Sequence, residues 1–235
     1  MRVLLISNSG KPFLEHCKAV LAEFLRPART VAFVTAANLY DEGSYYLLAR
    51  GALEGPPPAG AGVQVLHLRW DTDPLTTLDK SEALFVGGGN TYALLKRLRE
   101  ASLLEPIRAR VCAGMPYIGS SAGSNVAGPS ILTSNDWNVV GLTAFEALGL
   151  VPFNINPHYL ETDPATARFS ETRDERIREY HVVWTNPVVG IEEGTLVRLE
   201  DSVVTVLGSG RAKVFRPGQE PRWYRAGERL EFLKP

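Results

Sequence analysis

The sequence predicts an α/β fold: a doubly wound, largely parallel central sheet with helices on both faces and a C-terminal antiparallel addition. Short apolar and β-branched runs alternate with helical patterns through the first half of the 235-residue chain, which is the rhythm of β-α-β units. The predicted strands are continuously apolar, as expected for strands that are buried on both faces of a parallel sheet. After about residue 185 short strands follow one another across tight turns, which favours antiparallel pairing.

These patterns place the elements in order along the chain. The first half is predicted to hold strands at residues 3–6, 31–34, 63–68, 83–86 and 117–118, with helices at about 13–26, 42–53, 91–100 and 104–112. Residues 51–63 are predicted to form a surface loop, because their proline triplet cannot lie inside a helix. A short connection through Pro74 joins the third strand to the fourth. The antiparallel addition is predicted to consist of strands at residues 188–191, 195–199, 203–207 and 212–215.

Length, charge and cysteine content narrow the class of protein. A chain of 235 residues, 45% of them hydrophobic, can bury a substantial core, so we expect a single domain over residues 1–235. The 25 basic and 26 acidic residues give a net charge of −1, which offers no basic surface to nucleic acid or to an anionic membrane. Cys17 and Cys112 lie in helical patterns and are expected to be buried free thiols. No signal-peptide core and no apolar run of about 18 residues is present, so we expect a cytoplasmic protein.

The most informative segment is residues 115–128, where Gly119, Ser121 and Gly123 form a Gly-x-Ser-x-Gly pattern between a short strand and a helix start. In a nucleophile elbow the serine lies on a sharp, strained turn, so its neighbours must lack bulky side chains. A helix start also directs N–H groups toward the reacting centre. The pattern predicts that Ser121 is a nucleophile, although a chance match in a glycine-rich chain remains an alternative.

A serine nucleophile needs a base, and one of the four histidines stands out. His158 lies in a run of turn-forming residues directly after an apolar strand, where the binding loops of α/β sheets are found. The alternative is a structural histidine. A carboxylate should orient the imidazole, and Glu192 and Glu193 follow another apolar strand. Because side chains alternate along a strand, only one of these two can face the histidine; a solvated acidic turn is the alternative.

A second glycine cluster occupies residues 87–89, at the end of a strand and before a helix. It does not match the dinucleotide-binding pattern Gly-x-Gly-x-x-Gly, because Tyr92 stands at the last glycine position. Glycines at such a position can still bring bare N–H groups close to an anionic oxygen. We interpret the cluster as one half of an oxyanion hole, the other half being the N–H of Ala122.

Taken together and in this order, these motifs resemble peptidase E, the α-aspartyl dipeptidase family, within the class I glutamine-amidotransferase-like fold. The resemblance rests on residues 87–91, 119–128, 133–136, 150–159, 171–177 and 190–195. It implies Ser121 as nucleophile, His158 as general base and Glu193 as the orienting acid, with Gly89 and Ala122 as oxyanion donors. The family usually has a bulky residue where this chain has Ser120, so Ser120 stays an alternative nucleophile, as Glu192 stays an alternative acid.

The resemblance also implies the substrate, a dipeptide or short peptide with an N-terminal aspartate. Its β-carboxylate needs a fixed cation, for which an arginine fork is well suited, and Arg173 is the candidate. For the ammonium group the resemblance favours Asp136, with Asn135 and Asn90 as polar helpers. The alternative for Arg173 is that residues 171–177 are a solvated helix start with local ion pairs.

We therefore predict a single α/β hydrolytic domain that acts as a serine-type dipeptidase on Asp-Xaa through a Ser-His-Glu triad and an acyl-enzyme. One alternative is a cyanophycinase-like or isoaspartyl peptide hydrolase, and another is an inactive homologue that binds small ligands. We expect no cofactor and no metal, because the histidines form no close pair and the cysteines are far apart. The expected partner is a small peptide, not nucleic acid or a membrane, and a homodimer is left open.

Overall fold

The computed structural model describes residues 1–163, 169 and 171–231. In this part of the chain the strands are β1 (Arg2–Ile6), β2 (Thr30–Val34), β3 (Gln64–Leu68), β4 (Ala83–Val86), β5 (Tyr117–Ser120), β6 (Asn154–Asn156), β7 (Val188–Ile191), β8 (Thr195–Glu200), β9 (Val203–Gly208), β10 (Ala212–Phe215) and β11 (Arg222–Tyr224). The helices are α1 (Lys18–Phe24), α2 (Glu42–Leu53), α3 (Pro74–Asp79), α4 (Thr91–Glu100), α5 (Leu104–Cys112), α6 (Ala122–Asn125) and α7 (Arg173–Val183). A 3-10 helix at Glu15–Cys17 precedes α1.

The central sheet has seven strands in the order β3-β2-β4-β5-β1-β8-β9. The first five of these strands are parallel, whereas β8 and β9 continue the sheet in antiparallel fashion. A second sheet of four strands has the order β11-β10-β7-β6, in which β6 and β7 are parallel and the other pairs antiparallel. The predicted fold class is confirmed, and the C-terminal strands are divided between the two sheets.

Helices cover both faces of the central sheet, because neighbouring residues of its strands point to opposite sides. In β1, Leu4 and Ile6 pack with the apolar side chains of α1 and α2. Val3 and Leu5 point to the other face, where the core contains side chains from α4, α5 and the second sheet. All four side chains are 1% exposed or less, which explains why these strands have continuously apolar sequences.

Among the differences from the sequence prediction, three have a local cause. The helix expected over 13–26 is α1 at Lys18–Phe24. Leu14 has φ 58°, a left-handed conformation that a helix cannot contain, and Glu15–Cys17 form a 3-10 helix. The connection through Pro74 is the helix α3, which begins where Asp73 accepts a hydrogen bond from Leu75 N and proline occupies the first turn. Cys17 is a buried free thiol as expected, but Cys112 is exposed, because it lies at the end of α5.

No helix in the described ranges combines the length and the apolar character needed to cross a membrane.

Candidate active site

The sequence-predicted residues lie where strands of the two sheets end. The glycine loop (residues 87–90) follows β4 and Ser121 follows β5, so both are at the carboxyl edge of the parallel strands. His158 comes shortly after β6, and Glu193 shortly after β7, at the corresponding edge of the second sheet. Ligands of open α/β sheets bind at this edge, and here two sheets contribute to it.

Ser121 lies on a strained turn that leaves no room for a side chain at Gly119 or Gly123. Its φ is 51°, and its N–H donates to the carbonyl of Ile6 at 2.9 Å, which ties the turn to β1. A Cβ on Gly119 would lie 2.4 Å from the carbonyl oxygen of Gly123, and a Cβ on Gly123 would lie 2.0 Å from that of Val86. The Gly-x-Ser-x-Gly spacing is therefore a steric requirement of the elbow, and the strained backbone holds the hydroxyl outward.

Ser121, His158 and Glu193 form one hydrogen-bonded chain. Ser121 Oγ is 2.8 Å from Nε2 of His158, and Nδ1 of the same ring is 2.6 Å from Oε1 of Glu193. Both nitrogens of the imidazole are thus engaged, one toward a hydroxyl and one toward a carboxylate. This arrangement can take a proton from the hydroxyl and stabilise the resulting imidazolium.

Ser120 and Glu192, which directly precede Ser121 and Glu193 in the sequence, have side chains that contact other residues than His158. Ser120 is fully buried, and its Oγ is 2.9 Å from the Oγ of Ser9. Glu192 forms an ion pair with Arg211 at 2.7 Å, and hydrogen bonds from Arg211 lower the pKa of the Glu192 carboxyl. The geometry therefore favours Ser121 over Ser120 and Glu193 over Glu192.

Two residues that the sequence analysis did not single out connect the two sheets. Ser7 Oγ accepts a hydrogen bond from His158 N at 2.9 Å and donates to the carbonyl of Ile191 at 3.0 Å. The side chain of Asn8 accepts from Gly194 N, the residue after Glu193, at 3.0 Å. Polar residues directly after β1, at the same edge as the elbow, were the available signal for this role. They matter because His158 is held at φ 54°, another strained conformation.

Among the described residues, one N–H group of the glycine loop has no acceptor and is available to a ligand. Gly87 N donates to Val34 O at 3.0 Å, Gly88 N to the phenol oxygen of Tyr45 at 2.8 Å, and Asn90 N to Ala37 O at 2.7 Å. Within residues 1–163, 169 and 171–231, the N–H of Gly89 donates to no protein acceptor.

The N–H of Ala122, at the first position of α6, likewise has no acceptor in the described part of the chain. Gly89 and Ala122 are the two predicted oxyanion donors. The loop that carries Gly89 packs on the elbow, since a Cβ on Gly88 would lie 3.0 Å from the Cβ of Ser121. Two unused N–H groups next to a nucleophilic hydroxyl can stabilise the oxyanion of an acyl-transfer reaction.

A cavity of about 610 Å³ opens in front of Ser121 and His158, and Asn90 and Asp136 are among the residues that line it. Asn90 caps α4 by accepting from Ala93 N at 2.9 Å. Asp136 Oδ2 accepts from Thr91 N at 2.8 Å, whereas its Oδ1 has no hydrogen-bond donor among the described residues. Asp136 therefore combines a structural contact with one carboxylate oxygen that is available to a cation.

Arg173 and Asn135 line a second cavity, of about 370 Å³, that contains neither Ser121 nor His158. Arg173 donates to Asn135 Oδ1, and the Asn135 amide donates to Pro157 O at 2.8 Å, directly before His158. Arg173 forms no ion pair with the described residues, and burial lowers the pKa of its guanidinium. Its helix begins with a capping box between Thr172 and Glu175, so the predicted helix start is present as well.

The described residues contain no group of three or more His, Cys, Asp or Glu side chains placed to hold a metal ion.

Known proteins that are similar to this chain are named as peptidases. The profile of Peptidase family S51 matches residues 3–207. Peptidase E from Streptomyces coelicolor is 42% identical over 99% of this chain and 95% of its own length. A Drosophila melanogaster protein named as a probable α-aspartyl dipeptidase is 44% identical, covering 91% of this chain and 89% of its own.

Among solved structures, a peptidase from an acI-B1 actinobacterium superposes with a TM-score of 0.70, covering 97% of this chain and 96% of its own. Its sequence is 18% identical, so the likeness concerns the fold.

Proposed function

This chain belongs to peptidase family S51, and we propose that it is a serine-type dipeptidase that hydrolyses dipeptides with an N-terminal aspartate. The observation that carries the proposal is the continuous chain from Ser121 Oγ to His158 at 2.8 Å and from His158 to Glu193 at 2.6 Å. The names of the relatives, peptidase E and probable α-aspartyl dipeptidase, support the choice of substrate.

The first half of the reaction transfers the acyl group to the enzyme. Ser121 Oγ attacks the aspartyl carbonyl carbon while His158 Nε2 takes the hydroxyl proton, and Glu193 stabilises the imidazolium. The N–H groups of Gly89 and Ala122 donate to the oxyanion of the tetrahedral intermediate. When the C–N bond breaks, His158 gives the proton to the leaving amine, and an aspartyl ester of Ser121 remains.

The second half releases aspartate. A water molecule gives a proton to His158 and attacks the ester carbonyl, and the same two N–H groups stabilise the second oxyanion. The ester bond breaks, the proton returns to Ser121 Oγ, and free aspartate leaves. Water and the side chains already named supply every proton and electron pair in this sequence.

Recognition of aspartate is proposed to use one charged side chain from each of the two cavities. A partly buried guanidinium without a carboxylate partner among the described residues is well suited to the substrate's β-carboxylate, and Arg173 meets that condition. The free Oδ1 of Asp136 would accept from the substrate ammonium, with Asn90 and Asn135 as polar neighbours. Asn135 links Arg173 to the His158 segment, because it contacts both Arg173 and the residue before His158.

The test is hydrolysis of Asp-Leu by the purified protein and by two serine variants. Ser121→Ala should abolish turnover with the fold intact by circular dichroism, whereas Ser120→Ala should keep most of the activity, since Ser120 points toward Ser9. Full activity of Ser121→Ala would refute the triad. Hydrolysis of β-linked Asp-Arg instead of α-linked Asp-Leu would favour the isoaspartyl or cyanophycinase-like alternative.

A cytoplasmic location and a homodimer remain predictions beyond this chemistry. Cell fractionation tests the first, and light scattering of the purified chain tests the second.

A further inference from the structure

Three main-chain N–H groups of the glycine loop donate hydrogen bonds within the described part of the chain, and one of the three acceptors is a side chain. Gly87 N and Asn90 N donate to main-chain carbonyls, whereas Gly88 N donates to the phenol oxygen of Tyr45 at 2.8 Å. We propose that Tyr45 is a positioning residue of the oxyanion hole: its phenol fixes the Gly88 peptide so that the next N–H, that of Gly89, faces the reacting carbonyl. This inference rests on the proposed function and adds a residue to it.

Tyr45 is itself fixed from several sides. It lies in the first turn of α2, and its ring packs edge to face on Phe13 and Phe33, with ring centroids 5.7 and 5.3 Å apart. A Cβ on Gly87 would lie 2.7 Å from an atom of the same ring, so the ring and the loop are in close contact. A side chain packed in this way presents its oxygen at one position, which is what an anchor for a glycine-rich segment requires.

The phenol has a second polar neighbour. The Ser9 hydroxyl interacts with Tyr45 and lies 2.9 Å from the Ser120 hydroxyl, directly before the nucleophile. Burial raises the pKa of Tyr45, so the phenol stays neutral near pH 7 and its oxygen can accept from Gly88 N. Three hydroxyl groups thus connect the glycine loop to the start of the elbow.

The position of this loop matters for the reaction because it touches the nucleophile. A Cβ on Gly88 would lie 3.0 Å from the Cβ of Ser121, so the loop packs closely on this residue. The peptide that follows Gly88 carries the N–H of Gly89. A rotation of the backbone at Gly88 would therefore change the distance between this N–H and the carbonyl under attack. Gly89 has φ 136°, a backbone conformation that only glycine adopts readily. Losing an oxyanion donor typically costs about 10²- to 10³-fold in kcat, and misplacing one should cost less.

The experiment compares two tyrosines of the same helix. Tyr45→Phe removes the phenol oxygen and keeps the ring between Phe13 and Phe33; Tyr46→Phe is the matched control, because the Tyr46 phenol donates to Val65 O at 3.1 Å, away from the loop. For Asp-Leu hydrolysis we expect Tyr45→Phe to lower kcat about tenfold with KM nearly unchanged, since an oxyanion donor acts in the transition state. Tyr46→Phe should retain both constants.

A second measurement is independent of the substrate. The rate at which a fluorophosphonate labels Ser121 also depends on the oxyanion hole, and it should fall in Tyr45→Phe but not in Tyr46→Phe. If the wild-type chain is labelled but does not cleave Asp-Leu, the substrate is wrong while the comparison of labelling rates still tests Tyr45. A wild-type chain that is not labelled at all would contradict the nucleophile and this inference together.

Thermal melting of each variant tests whether the variant is folded. Should Tyr45→Phe fail to fold, Ser9→Ala removes the second hydroxyl of the same chain and should slow labelling in the same direction by a smaller factor. If Tyr45→Phe folds and keeps the wild-type kcat and labelling rate, the role assigned to Tyr45 is wrong. If only Ser9→Ala folds, wild-type values in that variant would likewise overturn the assignment.

Discussion

The two sheets hold their parts of the candidate site by different means. On the central sheet Ser121 is fixed by the main chain: its N–H donates to β1, and Gly119 and Gly123 pack so closely that neither could carry a Cβ. On the second sheet His158 and Glu193 have side chains that are 42% and 58% exposed, next to segments joined by ionic contacts. The position of Ser121 therefore depends on backbone geometry, and the positions of His158 and Glu193 depend on side-chain interactions.

The ionic contacts of the second sheet centre on Lys213 in β10, whose side chain is 9% exposed. Its Nζ lies 3.1 Å from Glu161 and 2.9 Å from Asp174, and Asp174 also accepts a hydrogen bond from Tyr159, the residue after His158. This arrangement connects the loop after β6 to α7 and β10. We therefore expect the Ser121 side of the site to be disrupted by added side-chain volume, and the His158 and Glu193 side to be disrupted by the removal of charges.

The largest effect is expected from Gly123→Ala. The new Cβ would lie 2.0 Å from Val86 O, which is main chain and cannot move away easily, so the free energy of unfolding should fall by about 4 kcal/mol or more. The control is Gly51→Ala in α2, where a Cβ meets nothing within 4 Å; it should raise stability by about 0.5–1 kcal/mol. Urea denaturation measures both. A wild-type midpoint for Gly123→Ala would show that the elbow is not held by steric exclusion.

Next in size is the loss of activity in Glu193→Gln. The amide keeps the shape but cannot stabilise an imidazolium, so kcat for Asp-Leu should fall by about 10³-fold. Glu192→Gln is the matched variant one residue away; because Glu192 pairs with Arg211, its kcat should stay within about threefold of wild type. Equal losses of kcat in the two variants would contradict the assignment of Glu193, and not Glu192, as the carboxylate that acts on His158.

Lys213→Met should have a moderate effect on stability. It leaves Asp174 without its cation and leaves Glu161 with only a contact to Arg211 at 3.9 Å. Because the side chains of Glu161 and Asp174 are 47% and 26% exposed, the cost should be about 2 kcal/mol. Lys18→Met, which removes a surface pair with Glu15, should cost less than about 0.5 kcal/mol. Denaturant titration measures the free energy of unfolding of both variants. Similar small losses in the two would show that the ionic contacts of Lys213 contribute little to stability.

The smallest effect concerns the pH dependence of stability. Arg211 lowers the pKa of Glu192 below its ordinary value of 4.5, so this pair stabilises the fold above that pH. The contribution is lost as the pH falls through the lower folded-state pKa. Since Arg211 is 40% exposed, we expect less than about 1 kcal/mol. Between about pH 7 and about pH 3 the melting temperature of Glu192→Gln should therefore fall less than that of wild type. If the melting temperatures of both proteins fell equally over this range, the lowered pKa of Glu192 would be contradicted.

Much of the fold could be predicted from the sequence because its signals are local. The ranges of α2, α4 and α5 agree with the predicted helices, since each has apolar residues at helical spacing and clear ends. Helix α3 was missed because its six residues carry too short a pattern, and the cap at Asp73 starts it. The pairing of the C-terminal strands could not be predicted, because partners such as β1 and β8 are far apart in the chain.

For the candidate site, the sequence by itself determined the elbow, since Gly-x-Ser-x-Gly is a steric condition within five consecutive residues. Only the tertiary structure decided which of two adjacent glutamates lies beside His158 and which of two adjacent serines does. Adjacent residues of an extended segment point to opposite sides, and the groups that receive Glu192 and Ser120, Arg211 and Ser9, come from distant parts of the chain. Tyr45 stayed unnoticed for the same reason: its contact with Gly88 exists only once α2 packs beside the end of β4.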